Sequence, residues 1–436
     1  MGSGYGQRML GTAMVFMTLT AAANDPPTLT PLPNPLTLEQ ALALADAAHP
    51  ALQSTRAELG LAQARRLDAG ARYGTRAYVE ITPEAADPST GGGFLDDSRA
   101  RLVVQQPVYD FGYTRALTAA AEAGVAGGEL HLLDAHQQHR IEIMQRYHDV
   151  ILADLRASVE LEEMTHRFLN FNRFRERHAL GQVSDLDLLE AEHPYREALI
   201  RRTTSQHEQL ASRQRLALAL NRPGEIPNEL VTPGVAPTER EIPDFNALYE
   251  SAASASPALL ALRKEVDSAQ AGLAAARMHH GPTLTAELEL GKYQRALPAR
   301  GDVRAGLTLR IPLLQSGDTR TALARAQAEL ATRQARLLRT EHQLRQAALE
   351  LVQRLQTLKV ERATAHQRLA FRELSLDRRR ALYEMEVQAR LGDALTRLTE
   401  AQWFAMKADL DILLTWARID TLAGKPIFTA TQSNTP

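Results

Sequence analysis

The stretch Thr283–Leu290, TLTAELEL, alternates strictly between polar and apolar residues. Leu284, Ala286, Leu288 and Leu290 share one side of an extended chain, and threonines and glutamates share the other. This period of two predicts a β-strand with a single apolar face. The surrounding chain is rich in Ala, Leu, Gln, Arg and Glu, which favour helices. The fold therefore depends on what the apolar face of this strand contacts.

Three further stretches of the chain are predicted to be strands. In the hairpin partner at 302–311, the apolar positions are Val303, Ala305, Leu307, Leu309 and Ile311. Residues 76–82 alternate in the same way, and about 98–108 forms the least regular strand of the four. Each half of the chain thus carries one hairpin, and four strands are too few to close a barrel.

Two interpretations of the apolar strand faces are open at this point. The faces could pack on helices in a soluble α+β domain. Alternatively, several copies of the chain each supply four strands to a shared barrel, with apolar faces toward lipid and polar faces toward a lumen. The helices favour the second, because the helix predicted at 113–180 would be about 100 Å long at a rise of 1.5 Å per residue. Such a helix needs partners along its whole length, as in a coiled coil.

The chain is a tandem duplication of one helix–strand–strand–helix unit. Residues 49–82 and 256–289 align without gaps and share 11 identities in 34 positions. The identities include Pro50 with Pro257 and Glu80 with Glu287, so they go beyond a shared bias toward alanine. Two structural repeats, rather than two unrelated domains, are therefore predicted.

The predicted organisation has six parts. A short apolar run ending at Ala23 predicts a secretory signal peptide, and a Pro-rich extended segment follows it. The parts are the signal peptide 1–23, the extended segment 24–37, the first repeat 38–221, a Pro-rich linker 222–244, the second repeat 245–423 and a tail 424–436. Within the repeats, helices are predicted at 113–180, 185–221, 318–389 and 393–423. Beyond Ala23 no apolar run reaches the length of about 20 residues that a spanning helix needs.

Composition excludes several functions. The formal net charge of −2 gives no general attraction to nucleic acid or anionic lipid, so no nucleic-acid partner is predicted. The chain has no cysteine and therefore no disulfide, thiolate metal site or thiol nucleophile. No phosphate loop, nucleophile elbow or dinucleotide fingerprint occurs. His131, His136 and His139 do not share one helical face and are interpreted as solvent-facing. We predict no cofactor, no metal and no enzymatic activity.

Five motifs together resemble the TolC-type outer-membrane efflux protein family. Two lie at the start of the first repeat, Leu36–Ala45 and His49–Leu52. Gln106–Gly112, QPVYDFG, resembles the family's strand exit, and Ile311–Gly317 is its copy. Leu180–Glu192 resembles the helix-turn-helix at the periplasmic tip. Each motif alone is weak, whereas their order and duplication are fairly specific.

The resemblance implies an outer-membrane homotrimer in a Gram-negative bacterium. Four strands per protomer would form a 12-stranded outer-membrane β-barrel, and the long helices a periplasmic α-helical barrel. The implied function is a passive exit duct of a tripartite efflux or type I secretion system. Its implied partners are a second and third copy of itself, a periplasmic adaptor protein, an inner-membrane pump and outer-membrane lipid. A soluble periplasmic coiled-coil adaptor or scaffold is the alternative.

Two sets of site residues follow from this interpretation. The residues predicted to line the barrel lumen are Glu80, Thr283, Thr285, Glu287, Glu289, Arg304, Thr308 and Arg310. The residues predicted for the tip, its gate and adaptor docking are Gly181, Val183, Ser184, Asp185, Asp187, Gly392, Asp393, Arg397 and Glu400. Tyr109, Phe111, Tyr293 and Phe94 are candidates for interfacial aromatics or for local packing.

The tip motifs leave other questions open. Asp185 and Asp187 suit a gate, and they equally suit the N-terminus of a helix, where negative charge is favourable. Arg397 stands where the family would have a carboxylate, so the entrance could be less attractive to cations or closed by Arg–carboxylate pairs. Pro194 falls inside the helix predicted at 185–221 and is expected to kink it.

Overall fold

The computed structural model describes residues 31–44, 49–86, 93, 95–234, 240–294, 301–313, 318–385 and 391–425. The predicted signal peptide and Phe94 lie outside these residues, as does the predicted tail beyond Lys425. The helices are α1 Leu38–Ala43, α2 Pro50–Ala71, α3 Tyr113–Ala179, α4 Asp185–Ala219, α5 Phe245–Ala255, α6 Pro257–Met278, α7 Asp318–Glu384 and α8 Leu391–Leu422. The strands are β1 Arg76–Thr82, β2 Ala85–Ala86, β3 Leu95–Asp96, β4 Arg99–Tyr109, β5 Thr283–Tyr293 and β6 Val303–Arg310.

The predicted fold class is confirmed: the chain is mostly helical and carries a small antiparallel sheet of four strands, beside which β2 and β3 form a separate short pair. Each half contributes two strands to this four-stranded sheet, followed by a long helix, α3 or α7, of 67 residues. The predicted strand at 76–82 coincides with β1, and the stretch TLTAELEL opens β5. Pro194 lies inside α4, which continues through it to Ala219.

The main sheet joins the two repeats edge to edge. Its strand order is β1-β4-β5-β6, and all neighbours are antiparallel. The two predicted hairpins are β1–β4 and β5–β6, and the β4–β5 pair connects them. In the register, Leu288 faces Val104 on β4 and Ala305 on β6, which keeps apolar positions on the same face. The sheet therefore has one nearly continuous apolar face and one polar face.

Shorter helices pack against each of the two long helices, α3 and α7. α3 packs on α2 and α6 and also on α4 and α8, whereas α7 packs on α6 and α8. Ion pairs cross two of these contacts: Asp154 on α3 with Arg213 on α4 at 2.8 Å, and Asp409 on α8 with Arg362 on α7 at 2.5 Å. This arrangement meets the expected need of each long helix for partners along its length.

A buried tyrosine holds the N-terminal segment and the linker against α3. Leu36 forms a parallel bridge with Leu230, and Tyr147 on α3 donates its hydroxyl to the carbonyls of Leu36 and Val231 at 2.8 and 2.6 Å. Tyr147 and Leu36 are fully buried in one hydrophobic cluster. Burial raises the pKa of Tyr147 to about 12, so the hydroxyl stays a donor at neutral pH.

Both repeats end in the same backbone turn. Asn221 follows α4 with φ of 53°, and Gly424 follows α8 with φ of 70°. The next amide in each case reaches back five residues to a helix carbonyl at 2.8 Å. This is the Schellman pattern, which favours Gly or Asn because the left-handed conformation strains other side chains. The duplication is thus preserved in backbone geometry where residue identity has changed.

The interpretation of the three histidines as solvent-facing was wrong for one of them. His139 is buried, and its ring centroid lies 4.2 Å from that of His49. Burial lowers the pKa of His139, which favours the neutral ring. The error arose because α2 covers this part of α3, a contact that the local sequence around His139 does not show.

Candidate functional site

The apolar face of the sheet is exposed in the single chain. Val79 and Ile81 on β1 are 67% and 73% exposed, and Val303 and Leu307 on β6 are 66% and 70% exposed. Among the described elements, no helix packs on this sheet. An exposed apolar patch of this extent marks an interaction surface for lipid or for protein. The interpretation in which the strands pack on helices does not fit the described chain.

Aromatic rings stand at the helix-side end of the sheet. Tyr109 and Phe111 are about half exposed, and their ring centroids lie 4.8 Å apart in an edge-to-face arrangement. Their position suits the interfacial role considered from the sequence. Tyr293 does not share it, because its hydroxyl donates to Glu289 on the polar face at 2.5 Å.

All eight residues predicted for the lumen lie on the polar face. The strand register brings most of them together in pairs. Thr283 stands opposite Arg310, Thr285 opposite Thr308, and Glu289 opposite Arg304. Glu80 joins them from β1, and Glu287 stands opposite Gln105 on β4.

A charged network crosses three strands of the polar face. Arg101 on β4 binds Glu80 on β1 at 2.8 Å and Glu289 on β5 at 3.5 Å. Gln105, also on β4, donates to Glu287 at 2.9 Å. Arg101 and Gln105 are absent from the eight predicted residues. The antiparallel register would have identified them, because it sets Arg101 directly opposite Glu80.

Val103 is an exception to the polar character of this face. It stands opposite Tyr78 and Glu289, and it is only 2% exposed. Its own strand neighbours on this face are Arg101 and Gln105. Side chains on adjacent strands come within contact distance on one face, so these long neighbours cover the valine.

The first tip is a short turn between α3 and α4. Gly181 has φ of 71°, and the amides of Gly181 and Gln182 bond back to the last turn of α3. Ser184 and Asp187 form a capping box at the start of α4. Hydrogen bonds from Ser184 lower the pKa of Asp187. Asp187 therefore has a local structural role.

Two further predicted residues of this turn remain available to a partner. The carboxylate of Asp185 is 92% exposed and lies 2.6 Å from the ring of His178 on α3. Val183 is partly exposed between the two helices. No described contact commits either side chain to the core of the chain.

The second tip contains an Arg–carboxylate group of the kind considered from the sequence. Arg397 binds Asp393 one turn earlier on α8 at 3.1 Å, and Arg379 on α7 approaches the same carboxylate at 3.9 Å. Glu400 is exposed on the following turn. The turn itself, 386–390, lies outside the described residues. Asp393 thus links α7 to α8 beside the predicted gate.

Gly392 fits closely against α3. A Cβ atom added to it would lie 2.4 Å from the Cδ2 atom of His166, well inside van der Waals contact. The first turn of α8 therefore touches α3 at a point where only glycine fits without movement.

Gly392→Ala is expected to separate α8 from α3 at the tip. Overpacking of this kind costs about 1–3 kcal/mol. In a channel of the kind that the resemblance implies, this should give a larger single-channel conductance than that of the unsubstituted chain, measured in planar bilayers. Gly60→Ala is the matched control, because a Cβ atom there meets nothing within 4 Å. Adding His166→Ala to Gly392→Ala should restore the original conductance; if the double variant keeps the larger value, the contact is not the cause.

The second repeat also matches a known family by sequence. Residues 248–425, from α5 to the end of α8, match the family model described as outer membrane efflux protein. The predicted resemblance to outer-membrane efflux proteins is confirmed. None of the curated proteins compared with the chain matches it.

Solved structures of outer-membrane proteins have the same fold as this chain. The open state of the MtrE outer membrane channel of Neisseria gonorrhoeae has a TM-score of 0.70 and 16% identity, covering 91% of each chain. The outer membrane protein VceC of Vibrio cholerae has a TM-score of 0.67 and 18% identity, covering 90% of this chain and 97% of its own. The CmeC outer membrane channel of Campylobacter jejuni has a TM-score of 0.73 and 11% identity, covering 89% and 85%. At these identities the likeness concerns the fold alone.

None of the described helices combines the length and the apolar character that crossing a membrane requires.

A network of titratable side chains connects three helices. Glu265 on α6 lies 2.8 Å from the ring of His131 on α3 and 2.6 Å from the guanidinium of Arg333 on α7. The bond to Glu265 raises the pKa of His131 above 6.5. The bonds from His131 and Arg333 lower the pKa of Glu265 below 4.5.

This network predicts a pH dependence of stability. The contribution of His131 is complete below its unfolded pKa of 6.5 and is lost as the pH rises through the raised pKa. The stability contributed by Glu265 is present above its unfolded pKa of 4.5 and is lost as the pH falls through its lowered pKa. Buried His139 and His148 on α3 act in the opposite direction, because burial lowers their pKa values. We therefore expect His131 to add more to the thermal unfolding midpoint, followed by circular dichroism, at about pH 5.5 than at about pH 8.

His131→Gln should lower the unfolding midpoint more at about pH 5.5 than at about pH 8, so the midpoint at pH 5.5 minus that at pH 8 should decrease. His193→Gln is the control, because His193 is 75% exposed and pairs only loosely with Glu197 at 3.3 Å. An unchanged difference in the His131→Gln variant would contradict the assignment.

Proposed function

We propose that the chain is a passive outer-membrane channel that acts as a homotrimer in a Gram-negative envelope. It would serve a tripartite efflux or type I secretion system, with a periplasmic adaptor and an inner-membrane pump as partners. The channel carries out no catalysis, and the energy for transport comes from the pump. The channel family and fold support this proposal.

One observation carries the proposal: the sheet has an uncovered apolar face and two unpaired edges. In the described chain, β1 pairs only with β4, and β6 only with β5. Unpaired edges are a liability in a soluble protein, and closure of a barrel removes them. A lipid-facing surface explains the apolar side chains, because strands of membrane barrels alternate between apolar outward and polar inward positions.

Strand direction permits closure by copies of the same chain. Alternate strands along the order β1-β4-β5-β6 run in opposite directions. β6 of one copy and β1 of the next are therefore also opposed, as an antiparallel pair requires. Three copies would supply twelve strands, an even number typical of bacterial outer-membrane barrels.

The remaining site residues take roles consistent with this geometry. The eight predicted lumen residues would face water inside the barrel, together with Arg101 and Gln105. The exposed Asp185 and Val183 would offer a docking surface to the adaptor. Asp393, Arg397 and Gly392 would hold the resting position of α8 at the entrance.

The proposal is tested with purified full-length protein. We expect detergent-solubilised trimers from the outer-membrane fraction, and discrete single-channel currents when these trimers are added to a planar bilayer. A soluble monomer in the periplasmic fraction would instead support a scaffold or adaptor. Trimers that never conduct, even with Gly392→Ala at the tip, would rule out a channel.

A further inference from the structure

The polar face of the sheet carries more positive than negative charge. Its strand residues include five arginines and three glutamates, which leaves an excess of two positive charges. These residues are Arg76, Arg99, Arg101, Arg304 and Arg310, with Glu80, Glu287 and Glu289. Glu84, from beyond the end of β1, offsets Arg99 at 3.0 Å. The positive charge that remains in excess lies toward the end of the sheet that connects to the helices.

The glutamates of this face are engaged by neighbours. Glu289 is only 3% exposed and contacts both Arg101 and the Tyr293 hydroxyl. Glu80 shares Arg101, and Glu287 accepts a hydrogen bond from Gln105. Arg101 therefore neutralises part of the charge of Glu80 and Glu289, and Glu287 is held by a hydrogen bond but keeps its charge.

Three arginines of the same face are exposed. Arg76 is the first residue of β1 and Arg310 the last of β6, so both stand at the helix-side end of the sheet. No described carboxylate lies within 4 Å of either guanidinium. Arg304 stands opposite the buried Glu289 but is itself exposed. A solute passing this face would meet guanidinium groups first.

We propose that these arginines make the barrel lumen selective for anionic solutes. This inference rests on the proposed function, in which three copies would bring three sets of Arg76, Arg304 and Arg310 around one lumen. Rings of Arg or Lys side chains favour anions in pores. Screening sets their reach, because the Debye length is about 10 Å at 0.1 M salt and about 30 Å at 0.01 M. The preference should therefore be stronger in dilute salt.

The test is the reversal potential of reconstituted trimers in a gradient of KCl. We expect a chloride-to-potassium permeability ratio above one, which rises when both solutions are diluted about tenfold. The variant Arg76→Gln/Arg304→Gln/Arg310→Gln should lower this ratio by about twofold or more. The corresponding Arg→Lys variant keeps the charge and should keep the ratio. Lys292→Gln removes a cation from the apolar-face row of β5 and is the matched control.

The outcomes separate this inference from the proposed function. Trimers that conduct but are more permeable to potassium than to chloride would overturn this inference and leave the proposed function standing. A ratio unchanged by the triple Gln variant would also overturn it. If the triple variant does not assemble, the single variant Arg310→Gln, on the edge strand β6, replaces it. This variant should lower the chloride-to-potassium permeability ratio by less than the triple variant. Trimers without any conductance would overturn the proposed function, and this inference with it.

Discussion

Leu307→Arg should prevent stable assembly in the outer membrane. Leu307 lies near the middle of β6, opposite Ala286, and is 70% exposed on the apolar face. An arginine facing lipid at the bilayer midplane costs about 2–4 kcal/mol. The cost recurs in every copy, so it would be about 6–12 kcal/mol in a trimer. We expect loss of the trimer band in unheated gel samples of the outer-membrane fraction.

The neighbouring residue supplies the control. Thr308 lies on the polar face, opposite Thr285, one residue along the same strand. Thr308→Arg introduces the same side chain at nearly the same depth, but toward the water-filled side. It should assemble normally and change mainly the conductance. Equal tolerance of arginine at 307 and 308 would contradict the assignment of the two faces.

Tyr147→Ala should release the N-terminal segment and the linker from α3. Removing a fully buried large aromatic side chain costs about 3–5 kcal/mol. Hydrogen exchange measured by mass spectrometry on peptides covering 31–37 and 229–234 reports this directly, because Leu36 and Val231 donate backbone hydrogen bonds across the bridge. Every 1.4 kcal/mol lost corresponds to about tenfold faster exchange. We expect acceleration of about a hundredfold or more in both peptides.

Tyr147→Phe separates the hydroxyl from the packing of the ring. It leaves the carbonyls of Leu36 and Val231 without their donor, which costs about 1–3 kcal/mol for a buried group. Exchange of the same peptides should therefore accelerate about 5- to 150-fold. Tyr249→Phe is the control, since Tyr249 takes part in ring contacts on α5 without a described hydroxyl bond. Exchange at 31–37 that is unaffected by both Tyr147 variants would show that the tyrosine does not hold the segment.

Much of the fold was predictable because its signals are local. Alternation at 283–290 fixed a strand and its two faces, and the internal repeat predicted the matching hairpin in the first half. The signals for helix ends are also local: Ser184 and Asp187 cap the start of α4, and Gly181 lies in the turn that follows α3. Short-range hydrogen bonds and side-chain periodicity depend on neighbouring residues, which the sequence displays directly.

The candidate site was only partly predictable because some of its contacts join distant parts of the chain. The link from Arg101 to Glu289 spans 188 residues and exists because β4 pairs with β5. The close approach of His166 to Gly392, and the burial of His139 under α2, likewise depend on which helices pack together. No local pattern encodes such pairings.

The sequence by itself determined the strand and helix periods, the duplication and the polarity of each strand face, because these follow from residue order. Only the tertiary structure decided which charges meet on the polar face and that the described helices leave the apolar face of TLTAELEL uncovered. Those facts depend on strand register and on the direction in which the long helices leave the sheet. Both are set by packing between segments far apart in the chain.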